Sequence, residues 1–348
     1  MNAIYYEAFR QPLSVHTVPD PILQDDGVII EVKASGLCLS DWHGWMGHDA
    51  DIHLPHVPGH ELAGVIVEKG KLVTRFKVGD RVTLPFVGGC GVCAECASGN
   101  HQVCPQQFQP GFTHWGSFAQ YVGIHYASTN LVQLPDSIDF VTAASLGCRF
   151  ATAFRAVVDQ ARVTGGQWVA VFGCGGVGLS AIMIAKALGA QIIALDINDQ
   201  KLALAKRLGA HIGINSQHHP NVASHIHELT QGGAHVTIDA LGHPEIVFQA
   251  VRSLRRRGKH IQVGLLPPEQ AQPKIPLDRV IAYELELLGS HGMQAFRYEA
   301  MLAMITQGVL QPQQLVSQTI SLSEAAQQLP LLRTETQPGI KVITDFTQ

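Results

Sequence analysis

The chain has 348 residues, of which 46% are hydrophobic and 15% charged, with a formal net charge of −4. This length allows two domains with separate cores, and the composition is that of a globular rather than a disordered protein. The charge balance gives no reason to expect nucleic acid as a partner, and no stretch approaches the ~18–20 apolar residues of a membrane span. The N-terminal segment lacks the pattern of a secretory leader, so a cytoplasmic location is expected.

The first ~150 residues predict a β-rich region, because short alternating runs such as 28–32 and 64–67 are separated by Gly, Pro and Asp. The segment around Cys38 follows a predicted strand and is expected to form a loop. The four-cysteine run at 90–104 comes next, near the middle of this region.

From about 153 to 290 the pattern changes to apolar strands that alternate with helical stretches. This alternation predicts a parallel sheet with helices on both faces, and hence an α/β fold. The predicted strands are 168–172, 191–195, 236–239, 260–263 and 286–289, with helices at 176–188 and 200–208. The basic run at 255–257 predicts a solvated helix end. The last residues predict a helix at 298–307 and a strand at 341–345.

Four of the seven cysteines fall within fifteen residues: Cys90, Cys93, Cys96 and Cys104. Four thiolates at this spacing are typical of a closed, tetrahedral structural zinc site. Clustered thiols that bind metal rather than pair as disulfides also fit a reducing cytoplasm. We therefore expect a zinc lobe over about 88–106 that braces a loop and performs no chemistry.

A second metal signal is spread along the chain, in Cys38, His60 and Cys148. Two sulfur ligands and one nitrogen ligand leave a position open on zinc, as catalytic sites do. The alternative, purely structural interpretations are that Cys38 is a buried apolar residue and that His60 is a hydrogen-bonded structural histidine. Glu61 is open to three interpretations: an exchangeable metal ligand, a group that orients the ligands, or a salt-bridge partner.

The segment Gly173-Cys174-Gly175-Gly176-Val177-Gly178 follows an apolar strand and opens a helix, and it matches the dinucleotide pattern G-x-G-x-x-G. The pyrophosphate is expected at the positive end of that helix. Asp196 ends the next predicted strand, where its carboxylate can accept hydrogen bonds from the adenosine ribose. The same charge would repel a 2′-phosphate, so NAD is predicted rather than NADP. Beside such a site, a zinc ion with an open position indicates hydride chemistry on an alcohol. Ser40 and His43 could then relay the alcohol proton to solvent.

In these segments the chain resembles the zinc-dependent, medium-chain alcohol dehydrogenases. Segment 59–73 fits that family's zinc signature at every specified position, and it is followed by Gly79-Asp80-Arg81-Val82, the cysteine lobe, Leu146-Gly147-Cys148 and the dinucleotide loop. The resemblance covers nearly the whole chain. It implies a GroES-like catalytic domain (1–152 and 291–348), a Rossmann NAD-binding domain (153–290) and a homotetramer.

The resemblance also implies individual roles. Cys38, His60 and Cys148 would bind the catalytic zinc, with Glu61 able to approach it, while Asp41 orients His60. Ser40 would take the alcohol proton, His43 would pass it on, and Thr152 would contact the nicotinamide. The remaining cofactor contacts would come from Asp196, Lys201, Val263, Ser290 and Lys341.

Leu39 departs from several relatives, which place a basic residue there that reaches the cofactor phosphates. The thiolate at Cys148 favours simple primary or secondary alcohols, because polyol- and threonine-type relatives often carry a carboxylate as third ligand. Trp45, Phe86 and Trp115 are candidates for an apolar substrate pocket, although each could equally be a core residue. A polyol or amino-alcohol dehydrogenase is the alternative within enzymes, and a non-catalytic NAD-binding protein is the alternative of another class.

Overall fold

Two large β-sheets and a two-stranded sheet, β1-β2, organise the chain in the computed structural model, which describes residues 1–266, 270–335 and 337–347. The strands are β1 Asn2–Tyr5, β2 Ser14–Thr17, β3 Val28–Gly36, β4 Glu61–Lys69, β5 Arg81–Thr83, β6 Tyr121–Ile124, β7 Val132–Gln133, β8 Trp168–Phe172, β9 Gln191–Asp196, β10 Ile212–Asn215, β11 Ala234–Asp239, β12 Leu254–Gln262, β13 Glu286–Gly289, β14 Val316–Ser321 and β15 Ile340–Asp345. The helices are α1 Leu39–Trp45, α2 Ala94–Ala97, α3 Ala127–Asn130, α4 Phe140–Ala144, α5 Ala151–Phe154, α6 Gly176–Ala187, α7 Asp199–Leu208, α8 Val222–Thr230, α9 Pro244–Arg252, α10 Leu277–Tyr283, α11 Tyr298–Thr306 and α12 Leu322–Gln328.

The middle part of the chain contains a six-stranded sheet in the order β10-β9-β8-β11-β12-β13. All of its strand pairs are parallel. The central strand β8 carries apolar residues on both faces, and these pack into two separate clusters. A parallel sheet must be covered on both sides, which explains the continuous apolar runs in the sequence. The predicted α/β class and Rossmann-type sheet are confirmed.

The first part of the chain and its last segment share a seven-stranded sheet in the order β14-β15-β3-β4-β5-β7, with β6 also paired to β3. Strand β15 runs antiparallel to β3, with Val342 opposite Gly36. The C-terminal strands therefore return to the sheet that carries the first metal-site segment. Composition alone did not show this return.

Two local predictions were wrong. The basic run at 255–257 lies inside strand β12 rather than at a helix end. The segment after Cys38 is helix α1 rather than a loop. The other predicted elements have counterparts in the structure, with ends that differ by a few residues, as at β11 and β12. Within the described residues, no helix combines the length and apolar character needed to cross a bilayer.

Candidate active site

Cys38 is the N-cap of helix α1, and only Leu37 separates it from the end of strand β3. The Cys38 N–H donates to Oδ2 of Asp41, at 3.0 Å, so a first-turn carboxylate caps the helix. Cys38 and Asp41 are both buried. The helix start therefore fixes the thiol and the carboxylate together.

The residue before His60 is a glycine that no other residue could replace. Gly59 has φ of +103°, and a Cβ there would lie 2.6 Å from the backbone N of Phe118. The His60 ring donates from Nδ1 to Oδ1 of Asp41 at 2.7 Å, whereas its buried Nε2 has no hydrogen-bond partner in the described residues. Burial opposes protonation of this ring, but Asp41 and Cys38 together outweigh burial and raise the pKa of His60.

Cys148 completes the set from a distant segment, a π-helical turn over Leu146–Phe150. The Sγ atoms of Cys38 and Cys148 and a ring nitrogen of His60 all lie within 4.8 Å of one another. A hydrogen bond from Cys148 lowers the pKa of Cys38 well below its usual value, and the same bond raises the pKa of Cys148. Two sulfurs and an orphaned imidazole nitrogen form a donor set that suits zinc.

The four-cysteine lobe forms a second compact donor set, because its Sγ atoms also lie within 4.8 Å of one another. Backbone N–H groups donate to these sulfurs, for example Cys93 to Cys90 at 3.4 Å and Gln106 to Cys104 at 3.3 Å. Hydrogen bonds from the N–H groups of Val92 and Cys93 lower the pKa of Cys90 to about 7. The structure brings together all four residues that the spacing predicts as structural zinc ligands.

The structure pairs Glu61 with Arg149 and leaves it outside the three-residue donor set. Glu61 is fully buried, and its Oε1 accepts from the Arg149 side chain at 3.1 Å, while Oε2 accepts from Nη2. Burial raises the pKa of Glu61, and Arg149 opposes that rise. Of the interpretations left open by the sequence, the salt-bridge partner is the one the structure shows.

The three predicted pocket residues have different neighbours among the described contacts. Phe86 flanks the metal-ligand set, with its ring centroid 6.2 Å from that of His60. Trp45 belongs to a buried apolar cluster that includes Leu37 and Trp42, and it donates from its indole N–H to the Gln11 carbonyl. Trp115 packs edge-on against Tyr5 and bonds the Pro55 carbonyl.

Phe112, which sequence reasoning missed, lies 5.2 Å from the His60 ring. His291 also lines this region, because its ring packs edge-on against Phe86 at 5.4 Å. No motif marks either residue, so only the tertiary structure could place them beside His60. The wall of the site is therefore aromatic next to His60, with one imidazole further out.

Ser40 and His43 are three residues apart on α1 and thus share a face of the helix. The Ser40 hydroxyl lies 3.7 Å from the Cys38 sulfur. His43 Nδ1 lies 3.0 Å from Nδ1 of His48, which is exposed to solvent. Burial, reinforced by the charge of His48, lowers the pKa of His43. The contact between His43 and His48 thus connects the last turn of α1 with solvent.

The glycine loop lies between strand β8 and helix α6, as its pattern predicts. A Cβ on Gly178 would lie 1.8 Å from the Gly173 carbonyl oxygen, so the tight turn requires glycine there. A Cβ on Gly175 would meet no atom within 4 Å, and no side chain caps the helix at this residue. The first N–H groups of α6 are thus free to bind a phosphate.

Asp196 ends β9 beside this loop, where its Oδ2 accepts the Cys174 N–H at 2.7 Å. Lys201 lies in the first turn of α7, the helix that follows. The backbone N–H groups of Val263 and Ser290 donate to carbonyls within the sheet, so only their carbonyl oxygens could meet a carboxamide. These four residues line the carboxyl edge of the parallel sheet, where nucleotides bind in this class of fold.

Thr152 and Lys341 have opposite environments. The hydroxyl of Thr152 is buried and has no hydrogen-bond partner among the described residues, so it is available to a ligand. Lys341 forms an ion pair with Glu335 at 2.5 Å. Lys341 must therefore leave that carboxylate before it could serve a pyrophosphate.

Comparisons with known proteins agree with this geometry. Residues 24–136 match the family model described as the alcohol dehydrogenase GroES-like domain, and residues 176–307 match the zinc-binding dehydrogenase model. An alcohol dehydrogenase of Geobacillus stearothermophilus is 37% identical over 295 residues, which are 83% of this chain and 84% of that protein. The chain therefore belongs to the zinc-dependent, medium-chain alcohol dehydrogenase family.

Solved structures show the same relationship. An alcohol dehydrogenase from Thermus sp. ATN1 superposes with a TM-score of 0.91 at 28% identity, covering 99% of this chain and 100% of the other. An NAD-dependent alcohol dehydrogenase, 30% identical, gives a TM-score of 0.87 and covers 99% of each chain. As a member of this family the protein is an NAD-dependent zinc oxidoreductase, as its sequence predicts.

Proposed function

We propose that the protein transfers a hydride between NAD and a primary or secondary alcohol with an apolar or aromatic side chain, giving an aldehyde or ketone reversibly. The observation that carries this proposal is the buried, unpartnered Nε2 of His60 beside two thiols, next to the aromatic ring of Phe86. When bound, the zinc would supply Lewis acidity for an alcohol oxygen, and NAD would supply the hydride acceptor.

The protein's own groups have separate tasks in this scheme. Cys38, His60 and Cys148 would hold the catalytic zinc, and Asp41 fixes the His60 ring through Nδ1. Ser40 takes the hydroxyl proton, and His43 passes it toward solvent through its contact with His48. Phe86 and Phe112 exclude water from the reacting carbon and favour an apolar substrate.

Four thiolates would hold a second zinc in the lobe, which gives two metal ions per chain. Because all four positions are occupied by protein sulfur, this ion has no site for a substrate. Metal analysis of the purified protein tests the count. Two zinc ions per chain are expected, and only one would contradict the assignment of one of the two sets.

For the nucleotide, Gly173, Gly175, Gly176, Val177 and Gly178 would form the pyrophosphate cradle, with Asp196 and Lys201 at the adenosine ribose. Thr152, Val263 and Ser290 would meet the nicotinamide end, and Lys341 would approach the pyrophosphate. Because Leu39 carries no charge, we expect this protein to bind the cofactor phosphates more weakly, and to release NADH faster, than relatives with a basic residue at this position. Leu39→Arg should slow NADH release in stopped flow, and unchanged release would contradict this.

The proposed function is tested by a screen of NADH formation by the zinc-loaded protein. The panel spans short, branched, benzylic and polyol alcohols, with NADP in parallel. Preferential turnover of apolar alcohols is expected. Preference for polyols would favour the alternative on the same scaffold, and no turnover at two zinc ions per chain would favour a binding role.

Cofactor choice has its own test in Asp196→Ser. Removing the carboxylate should raise the efficiency with NADP relative to NAD by roughly 10- to 100-fold, since juxtaposed like charges cost a few kcal/mol. Asp199→Ser removes a neighbouring exposed carboxylate and serves as the matched control. An equal shift in both variants would mean that net charge, rather than a ribose contact, sets the preference.

We further propose that residues 1–152 with 291–348 form the catalytic domain and that residues 153–290 form the nucleotide domain. The pairing of β15 with β3 supports this division. The protein is proposed to act as a cytoplasmic homotetramer. Sedimentation equilibrium tests the assembly, with a dimeric mass as the contradicting result.

A further inference from the structure

Arg149 lies at the centre of a buried cluster that connects the three metal-ligand segments. Each of its side-chain partners is the chain neighbour of a metal ligand. Nη1 donates to the carbonyl of Leu37, which precedes Cys38, at 2.8 Å. Nε and Nη2 donate to Glu61, which follows His60, and Arg149 itself follows Cys148. One guanidinium thus joins segments that lie more than 100 residues apart in sequence.

Donors in the same cluster bind both carboxylate oxygens of Glu61. Besides the two guanidinium donors, Oε1 accepts the backbone N–H groups of Cys148 at 3.2 Å and Arg149 at 3.0 Å. Four donors approach the usual capacity of a carboxylate. Glu61 is held away from the donor set although its neighbour His60 is a member of that set.

Little space exists for Arg149 to move. A Cβ on Gly176, in the nucleotide loop, would lie 2.3 Å from the Cδ of Arg149. A Cβ on Gly36 would lie 2.6 Å from Oε2 of Glu61 and 3.0 Å from Nη2 of Arg149. Glycines on two sides therefore pack directly on the ion pair, and a close-packed cage of this kind holds a side chain in one rotamer.

We propose that Arg149 is a positioning residue that holds the three metal-ligand segments in register and keeps the Glu61 carboxylate out of the coordination of the catalytic metal. The inference rests on the proposed function, since it concerns the zinc held by Cys38, His60 and Cys148. Its consequence is that the fourth position stays available to the alcohol. Without Arg149, the buried carboxylate of Glu61 would lose its counter-charge, and the metal held by its chain neighbour His60 would be a cation able to replace that charge.

The test compares Arg149→Met, Arg149→Lys and the double variant Arg149→Met/Glu61→Gln with the parent enzyme. Cobalt replaces zinc at the three-ligand site, and its visible absorption reports the ligands. Metal release to a chelator is timed at the same site, with the four-cysteine lobe as an internal reference. Arg297→Met, which breaks the Arg297–Asp159 ion pair elsewhere, is the matched control for loss of an ion pair.

Arg149→Met should show shifted, weaker cobalt bands, because a carboxylate ligand raises the coordination number. Its metal release should be roughly 10–100-fold faster, as is usual when a group that orients metal ligands is lost. The double variant should recover the parent bands, because a neutral amide is a poorer ligand. Arg149→Lys should fall in between, since an ammonium cannot reproduce the guanidinium fork.

Parent-like bands and release rates in Arg149→Met would overturn the proposal, as would a double variant as altered as the single one. If Arg149→Met fails to fold, the lysine variant decides by the same two readouts. A parent enzyme that binds no metal at the three-ligand site, or forms no NADH, refutes the proposed function itself. A parent enzyme that turns over while the variants stay unchanged refutes only the role of Arg149.

Discussion

The two cysteine clusters of this protein are built in opposite ways. The lobe takes all its sulfurs from fifteen consecutive residues, and backbone N–H groups of the same loop donate to them. The set of Cys38, His60 and Cys148 draws on three distant segments, and side chains support it, with Asp41 on one side and Arg149 on the other. The first cluster is a local structure, whereas the second is a product of the whole fold.

This difference predicts what each site can do. Four thiolates close the coordination of a zinc ion, so the lobe can only stabilise the loop that carries it. Three ligands on separate segments leave a position for chemistry, but their alignment depends on interactions elsewhere. Substitutions should therefore separate into those that stop turnover and those that lower stability.

The largest expected effect is on turnover, in Cys38→Ser. Loss of a proposed catalytic ligand should remove several kcal/mol of transition-state stabilisation, which is a fall in kcat of roughly a thousandfold. Fold and NAD binding should persist, as measured by circular dichroism and fluorescence titration. Cys93→Ser in the lobe is the matched control, and an equal loss of turnover per folded molecule there would abolish the distinction between the sites.

For the free energy of unfolding, a substitution in the cysteine lobe should have a larger effect than one in the three-ligand set. Cys104→Ser breaks the closed site at a buried sulfur, and loss of a structural metal belongs to the changes that cost on the order of 4–5 kcal/mol. Thermal unfolding followed by circular dichroism should show a clearly lower Tm than for Cys38→Ser. A larger drop in Tm for Cys38→Ser would mean that the three-ligand site stabilises the fold more than the lobe does.

Asp41→Asn probes the side-chain support of the open site. The amide would place a donor against the N–H groups that the carboxylate now accepts from Cys38, Gly59 and His60. Metal affinity at this site should fall roughly 10–100-fold, while the lobe keeps its metal. Asp49→Asn, in the nearby loop, is the control, and competition with a chromogenic chelator gives both affinities. Unchanged affinity in Asp41→Asn would show that the ligand segments are held without it.

The smallest effect concerns the stability of the folded protein at acid pH. Burial lowers the pKa of His56 to about 4, and its Nε2 lacks a hydrogen-bond partner among the described residues. Between the unfolded value of about 6.5 and this folded value, the unfolded state binds the extra proton. Stability is therefore full above pH ~6.5 and falls as the pH drops, by about 1–2 kcal/mol at pH 5.

Replacing the ring removes that loss, so His56→Phe should flatten the pH dependence of urea unfolding between pH 7 and 5. His53→Gln, at an exposed neighbour whose charge is only a minor cause of the lowered pKa of His56, should change the slope much less. If both variants keep the parent slope, acid acts through another group. When His56→Phe does flatten the slope, any activity that this variant loses between pH 7 and 5 would reflect the metal sites rather than unfolding.

The sequence by itself determined the local features: the cysteine lobe, the glycine loop with its strand and helix, the parallel-sheet region and Asp196. Each of these depends on residue spacing within one segment or one βαβ unit, where chain geometry allows few alternatives. The family resemblance added the ligand set and placed Asp41 beside His60. Even so, helix α1 was predicted as a loop, because a thiol is an unusual helix cap.

Only the tertiary structure decided which residues meet across segments. Trp45 and Trp115 carry the same apolar character as Phe86, yet the described ring contact with His60 comes from Phe86, while the two tryptophans pack on other apolar clusters. The pairing of Glu61 with Arg149, the return of β15 to β3 and the contact of His43 with His48 were likewise absent from any motif. Such contacts depend on packing between distant parts of the chain, and packing is a property of the folded whole.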